Sequence, residues 1–307
     1  MTYNDLEVKR KKYRNIVLSA IIIIAAIICC NFFFHSVAGG IFTMLLFPAI
    51  LISAVVTIGP RKEYRKAYKD YIVIRGFEEI FTDIKYEPDE GMPRSIIEDT
   101  RMMHMGNVYR SNDYLSASYK GVAFQQADVL IQREYESTDS DGNSCTNRET
   151  IFRGRWMVFD FNKEFKSNVQ VAQKGFRNNI VADFYQKDGS RYYKKIQMES
   201  ESFNKKFKVY AQSEQEAFYI LTPSLMEKIE RLGDNNKGKL LLCFINNRLH
   251  IGLYDNKDSF EAPNCLFKID EEKEINKTAG DRKIITQFID ELNLDNTLFK
   301  KISISNQ

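Results

Sequence analysis

The chain has 307 residues, of which 44% are apolar, 28% charged and 13% aromatic, and this excludes a disordered polar tract, a collagen-like repeat and a small disulfide scaffold. Its formal charge of +3 is unevenly spread: residues 1–15 and 61–70 each carry five basic and two acidic side chains, residues 16–60 carry none, and the remaining 237 hold 34 basic and 37 acidic groups. A slightly acidic bulk argues against nucleic acid as a partner, because phosphate binding needs a basic face.

In chain order, residues 1–15 read as a basic cytosolic tail. Ile16 to Phe34 and Ile41 to Ile58 are uncharged runs of 19 and 18 residues. A 19-residue helix reaches about 29 Å, which matches a bilayer's hydrocarbon core. Backbone polar groups in lipid must be satisfied internally, so both runs are expected to be helical. Together they predict a two-helix transmembrane hairpin over residues 16–60. His35 to Gly40 should connect the helices, with Gly39-Gly40 as the tight turn, and Pro48 should kink the second. Basic clusters flank both outer ends and the connection has no Lys or Arg. The positive-inside rule therefore predicts a multi-pass membrane protein with both termini cytoplasmic. Ser36-Val37-Ala38 has the small-x-small form of a signal cleavage site, but the preceding apolar run is too long for a signal peptide and a second follows it. Cys29 and Cys30 read as apolar filler. Cys145, Cys243 and Cys265 show no metal-site or bridge spacing and are expected to stay reduced.

Residues 61–92 are predicted as a helical stalk. Tyr64, Tyr68, Tyr71, Ile72, Ile80, Phe81 and Ile84 keep near-helical spacing as far as Lys85, and Pro88 and Pro93 end the pattern. Arg61, Lys62, Arg65, Lys66 and Lys69 are the candidate membrane-surface contacts, since anionic headgroups attract juxtamembrane basic side chains. Residues 93–307 are predicted to form an α+β cytosolic domain with mostly antiparallel strands. Its expected parts begin with a short helix over Ser95–Met105. Strands follow over 122–124, 129–135 and 151–161, with a polar loop over 137–150. Lys206–Tyr210 alternates as a strand and Glu214–Leu221 reads as a helix. Thr222 as N-cap with Pro223 at the first helical position opens the next helix. Leu240–Ile245 and Leu249–Tyr254 form a hairpin around Asn246-Asn247, which tolerate the positive φ of a tight turn. Asp281–Leu292 is amphipathic, with Ile284, Ile285, Phe288, Ile289 and Leu292 on one face.

Motifs for chemistry are scarce. There is no Walker loop, GxGxxG, HExxH, GxSxG or CxxC, so no catalytic, metal-binding or cofactor-binding residue is assigned and no cofactor is called for. His250 is expected on the exposed face of its strand, opposite Leu249, Ile251 and Leu253. Met102-Met103-His104-Met105 has donors that suit soft copper, but methionine is more often a gap-filler. Thr138 to Thr150 sets Asp139, Asp141 and Asn143 at calcium-ligand positions. Ser144 stands where glycine is needed and Thr150 where glutamate is needed, so a polar hairpin loop is the better reading. Phe152, Trp156 and Phe159 read as core.

Met198 to Leu232 resembles the hallmark of a bacterial family catalogued as domain of unknown function number 3137. The matching pieces are Phe203-Asn204-Lys205, Phe207-Lys208-Val209-Tyr210, Glu216-Ala217 and Leu221-Thr222-Pro223-Ser224-Leu225-Met226. Phe152-Arg153-Gly154 and Asp160 to Phe165 resemble a second block, and the likeness covers most of residues 60–270. The resemblance implies two membrane helices before a cytosolic domain and brings no activity or catalytic residue. It also implies a LemA-like membrane protein as a partner, since such proteins are encoded near family members.

The sequence thus predicts a membrane-anchored cytosolic interaction or sensory module, with the lipid bilayer and a further protein as partners and oligomerisation compatible. The alternative is a membrane-surface hydrolase using carboxylates such as Asp160, Glu199 or Glu201. A third reading, an accessory subunit of a transporter or channel, is weakened by the lack of Asp, Glu, Lys or Arg in either apolar run.

Overall fold

The structure, a computed structural model, describes residues 1–33, 37–138, 144–160, 166–176, 192–292 and 294. Helices are α1 (Tyr3–Phe33), α2 (Val37–Tyr68), α3 (Ile74–Phe77), α4 (Arg94–Glu98), α5 (Glu201–Lys206), α6 (Glu214–Ile220), α7 (Pro223–Asn235), α8 (Glu271–Lys277) and α9 (Ala279–Leu292). Strands are β1 (Thr82–Glu87), β2 (Val108–Tyr119), β3 (Val122–Thr138), β4 (Ser144–Asp160), β5 (Val169–Gln173), β6 (Lys194–Ile196), β7 (Phe207–Ala211), β8 (Lys239–Ile245) and β9 (Arg248–Tyr254). The chain divides into two compact units, residues 1–76 with 260–278, and residues 77–259 with 279 onward.

The first unit is built on α1 and α2. Both are long and apolar enough to cross a membrane, and their most apolar windows bury nothing within the structure. Ile22 is 67% exposed, Met44 81% and Phe47 71%. Residues 3–15 are the opening turns of α1 rather than a tail. Gly39 and Gly40 lie inside α2 rather than in a turn, because α2 already starts at Val37; His35 falls outside the described residues. Pro48 and Pro60 are both accommodated inside α2. A π-helical turn, Lys69–Val73, follows. The expected helix to Lys85 stops at Phe77, and Thr82–Glu87 is strand β1 instead. Ile84 continues the helical spacing from Ile80 but also alternates with Tyr86 at a period of two, and pairing of β1 with β2 decides between them.

Among the described residues the second unit is built on a nine-stranded sheet in the order β1-β2-β3-β4-β9-β8-β5-β7-β6, antiparallel at every pairing. β3 and β4 form one long hairpin, which replaces the shorter strands and most of the polar loop expected over 137–150. Asp139, Asp141 and Asn143, the calcium-like positions, lie outside the described residues. Both faces of the central strands are covered. On one face Phe159 packs toward Phe288 of α9, ring centroids 6.4 Å apart, and Ile285, Phe288, Ile289 and Leu292 are buried as their spacing predicted. On the other face a core joins Ala127, Val129 and Ile131 of β3, Phe152, Trp156 and Val158 of β4, and Leu241 and Cys243 of β8 to Met92, Ile97, Met102, Met103 and Met105. The methionines thus act as core filler, with His104 outward. The helix expected over 95–105 shrinks to α4, because its second half turns inward as this apolar cover.

Local signals hold in the capped region. Thr222 accepts from the Leu225 amide at 3.3 Å with Pro223 as first helical residue, and Asn246 takes φ 56° between β8 and β9. Glu199 and Glu201 do not share a strand face: Ser200 caps α5 between them, accepting from the Phe203 amide.

Candidate functional site

Within the first unit, residues 260–278 strap across the charged ends of α1 and α2. The reason lies in the side chains there. Tyr3, Leu6, Glu7, Arg10 and Tyr13 recur on one face of α1, as Tyr64, Ala67, Tyr68, Tyr71 and Ile72 do on α2 and the π turn. Leu6, Tyr64, Ala67, Tyr68 and Ile72 are buried with Cys265 and Ile269 of the strap. Polar groups fasten it. The Tyr3 hydroxyl donates to the Ile269 carbonyl at 2.6 Å and the Tyr64 hydroxyl to the Pro263 carbonyl at 3.0 Å. Arg10, 2% exposed, donates to the Cys265 carbonyl at 2.6 Å and to both Glu7 oxygens at 2.8 and 2.9 Å. Glu7 also accepts from the Ile269 amide at 3.2 Å. The Tyr68 and Tyr71 hydroxyls donate to Glu274 and Glu271, each at 2.6 Å. Burial pushes the Tyr64 and Tyr68 phenols well above their ordinary pKa, and in Tyr68 the Glu274 carboxylate adds to it. Both therefore remain donors at any physiological pH.

Of the five predicted surface contacts, Arg61, Lys62 and Lys66 are exposed, Arg65 is half-buried and ion-paired with Glu261, and Lys69 is only 6% exposed. The π turn beginning at Lys69 carries that residue into the packed side. A cavity of about 370 Å³ opens beside them, its walls including Tyr13, Val17, Arg61, Arg65 and Leu266.

The second unit holds a buried charge cluster that the sequence did not reveal. A break in register between Asn112 and Leu115 sets Asp113 at φ 59°, where Tyr86 and Asn112 donate to its carboxylate. Asp128 of β3 lies directly across from Arg155 of β4. Asp128 accepts from the Ser259 amide and from the Ser259 hydroxyl at 2.9 Å. Arg155, 7% exposed, donates to Ser259 Oγ at 2.9 Å and to Asp281 at 2.5 Å. Burial drives the Asp128 carboxyl up to about 7, against the opposing pull of Arg155 and the Ser259 donors. Carboxylate oxygens of Asp113, Asp128 and Asp258 lie within 4.8 Å of one another, a spacing a divalent cation can bridge. The chemistry of the set is otherwise occupied: donors already engage Asp113 and Asp128, and Arg155 supplies positive charge. The cluster reads as a lock that holds the 255–259 segment and the start of α9 to the sheet. Spacing within any one strand shows none of it, since it is assembled from five separated segments.

The carboxylates of the hydrolase reading do not converge. Asp160 is exposed in an open groove of about 190 Å³ with Asp83 and Arg248, and Glu199 and Glu201 are exposed elsewhere. His250 is not exposed as expected but 6% exposed. Its Nδ1 accepts from the Trp156 indole at 3.5 Å, and burial, with Arg248 adding to it, pushes its pKa down to about 4. The expectation failed because the methionine cover makes the second face of β9 a core as well.

These features define a class: two long apolar helices with a strapped, charged end, joined to an antiparallel sheet domain whose buried arginines, Arg155 and Arg282, are ion-paired within it. Residues 150–294 match the family model described as Protein of unknown function (DUF3137), which bears out the resemblance read from Met198–Leu232, although the match begins at residue 150 rather than near residue 60. No curated protein matches the chain. Among solved structures, the mycobacterial trehalose monomycolate transport factor A is similar with TM-score 0.38 and 10% identity, over 75% of this chain and 94% of that one. Likeness at that level assigns no function.

Proposed function

We propose that the chain is an interaction module anchored in a bacterial inner membrane by α1 and α2, with both termini cytoplasmic and the sheet unit presented to a protein partner. The observation that carries this is the pair of helices whose apolar windows find no cover in the structure; water would leave that surface unpaid for, and lipid covers it. The distribution of Arg and Lys at the outer ends supports the orientation. Arg61, Lys62, Arg65 and Lys66 are the membrane-surface contacts of this reading, and buried Lys69 drops out of the set. A LemA-like partner rests on the family resemblance alone. The scattered positions of Asp160, Glu199 and Glu201 disfavour a carboxylate hydrolase.

A reporter scan tests the anchor. Fusions after Gln307 should be active only as cytoplasmic reporters, and a fusion active only outside the cytoplasm overturns the topology. Crosslinking in native membranes should then trap a second protein on the sheet unit; repeated recovery of the chain alone overturns the module.

A further inference from the structure

Leu266 and Phe267 are apolar yet 36% and 74% exposed, and the Lys268 that follows is also exposed. Their position in the first unit is fixed on both sides. Cys265 is held by Arg10 and Ile269 by Tyr3 and Glu7, so the tripeptide forms a short tip between two anchored points. That tip sits at a definite level along the helices. Leu266 shares the wall of the 370 Å³ cavity with Val17 and Arg61. Val17 is the second residue of the uncharged run from Ile16, and Arg61 is the first charged residue after the second run. The tip therefore stands where both apolar stretches meet their first charges, which in the anchored reading is the headgroup layer. An aliphatic and an aromatic side chain followed by a lysine, with Arg14 and Arg61 at the same level, is the composition of an interfacial anchor: rings and chains enter the acyl boundary and cations remain at the phosphates.

We infer that the 260–278 strap is a third membrane contact, with Leu266 and Phe267 dipping into the cytoplasmic interfacial layer of the bilayer and Lys268 on its lipid phosphates. This rests on the anchored reading of α1 and α2 and adds to it. The strap would tie the segment between β9 and α9 directly to the lipid surface. Lipid is favoured over a protein as occupant because the neighbouring helical surface at that level is itself the end of two spanning-length stretches.

The test uses the full chain reconstituted in vesicles containing anionic phospholipid, with bromine carried either near the headgroup end or near the tail end of the acyl chains. Trp156, the single tryptophan, is 0% exposed and gives a constant background. Two variants are compared, Phe267→Trp at the tip and Leu51→Trp in the middle of α2, where Leu51 is 50% exposed. The expected result is loss of F267W emission with headgroup-proximal bromine and little loss with tail-end bromine, beside loss of L51W emission with tail-end bromine. F267W emission unchanged by either lipid while L51W is quenched overturns the strap contact alone and leaves the anchor standing. Neither variant quenched overturns the anchor and this inference together.

Discussion

Asp128 and Arg155 stand opposite each other on β3 and β4, and the hydroxyl of Ser259 joins them, accepting from Arg155 at 2.9 Å and donating to Asp128 at 2.9 Å. Asp281 takes the other bond of the same guanidinium nitrogen. One buried cation is thus shared between two acids, and the connection runs from the sheet to the loop after β9 and to α9. Arg155 Nε and its second terminal nitrogen have no protein partner, so the arrangement is held by charge more than by a full set of hydrogen bonds.

Removing members of this chain should give graded losses. Arg155→Met leaves Asp128 and Asp281 without their cation and should lower stability by about 3–5 kcal/mol. Ser259→Ala retains the backbone donor to Asp128 and should lower it by about 1–3 kcal/mol. Denaturant unfolding of the full chain in detergent measures both, and a loss from Arg155→Met no larger than that from Ser259→Ala would show that the pairing of Arg155 with Asp281 adds nothing to the connection.

The pH dependence has two opposing parts. His250 has a folded pKa near 4, below its unfolded value of about 6.5. The unfolded chain therefore binds the extra proton between them, and stability from this group falls as pH drops from about 6.5 to 4. Asp128 has a folded pKa near 7, above an unfolded value of about 3.9, so its contribution falls as pH rises from about 4 to 7. The stability difference between wild type and His250→Gln should grow with pH across the first window by up to about 3 kcal/mol. The difference from Asp128→Asn should shrink across the second. Flat difference curves would show that neither group titrates as its burial implies.

Gly252 leaves room for a ring. A Cβ there would stand 2.7 and 2.9 Å from Trp156 Cζ3 and Cε3. Gly252→Ala should push the indole aside and lower stability by about 1–3 kcal/mol. Because Trp156 is the single tryptophan, its emission reports the shift directly; an unchanged spectrum and unchanged stability would mean the backbone yields instead.

Arg10 ties the strap to α1 from a buried position, through the Cys265 carbonyl. Arg10→Gln breaks the Glu7 pair and the bond to the Cys265 carbonyl, leaving a buried carboxylate. Tryptic cleavage after Lys268 should accelerate by an order of magnitude or more, following a loss of about 1.5–3 kcal/mol in local stability. Unchanged cleavage would place the strap's stability in its apolar contacts with Leu6, Tyr64 and Ile72.

Charge neutralisation of Arg61, Lys62 and Lys66 together, in the full chain, should weaken the preference for anionic over neutral lipid, each cation contributing about 1 kcal/mol near a surface. The full chain is required because residues 3–17 form part of the same packed unit. A preference that persists and ignores salt would place the contact elsewhere.

The parts legible in the sequence are those where one local rule decides. Two uncharged runs determined two long helices, since no charged side chain interrupts them. Thr222-Pro223 determined the start of α7 through one side-chain cap and one fixed φ, and Asn246-Asn247 determined the β8–β9 turn. The face of α9 followed from its 3.6-residue period. What only tertiary structure decided required partners far apart in sequence. Ile84 fits either period until β1 pairs with β2. His250 became a core residue because the 92–105 segment covers a face that alternation alone marks as outward. Residues 260–278 carry no periodic signal, and they acquire their place from hydrogen bonds to residues 190 or more positions away, at Tyr3, Glu7, Arg10, Tyr64, Tyr68 and Tyr71. The Asp128–Ser259–Arg155–Asp281 chain is of the same kind: burial sets its charges and pKa values, and burial is a property of the packed whole rather than of any window of the chain.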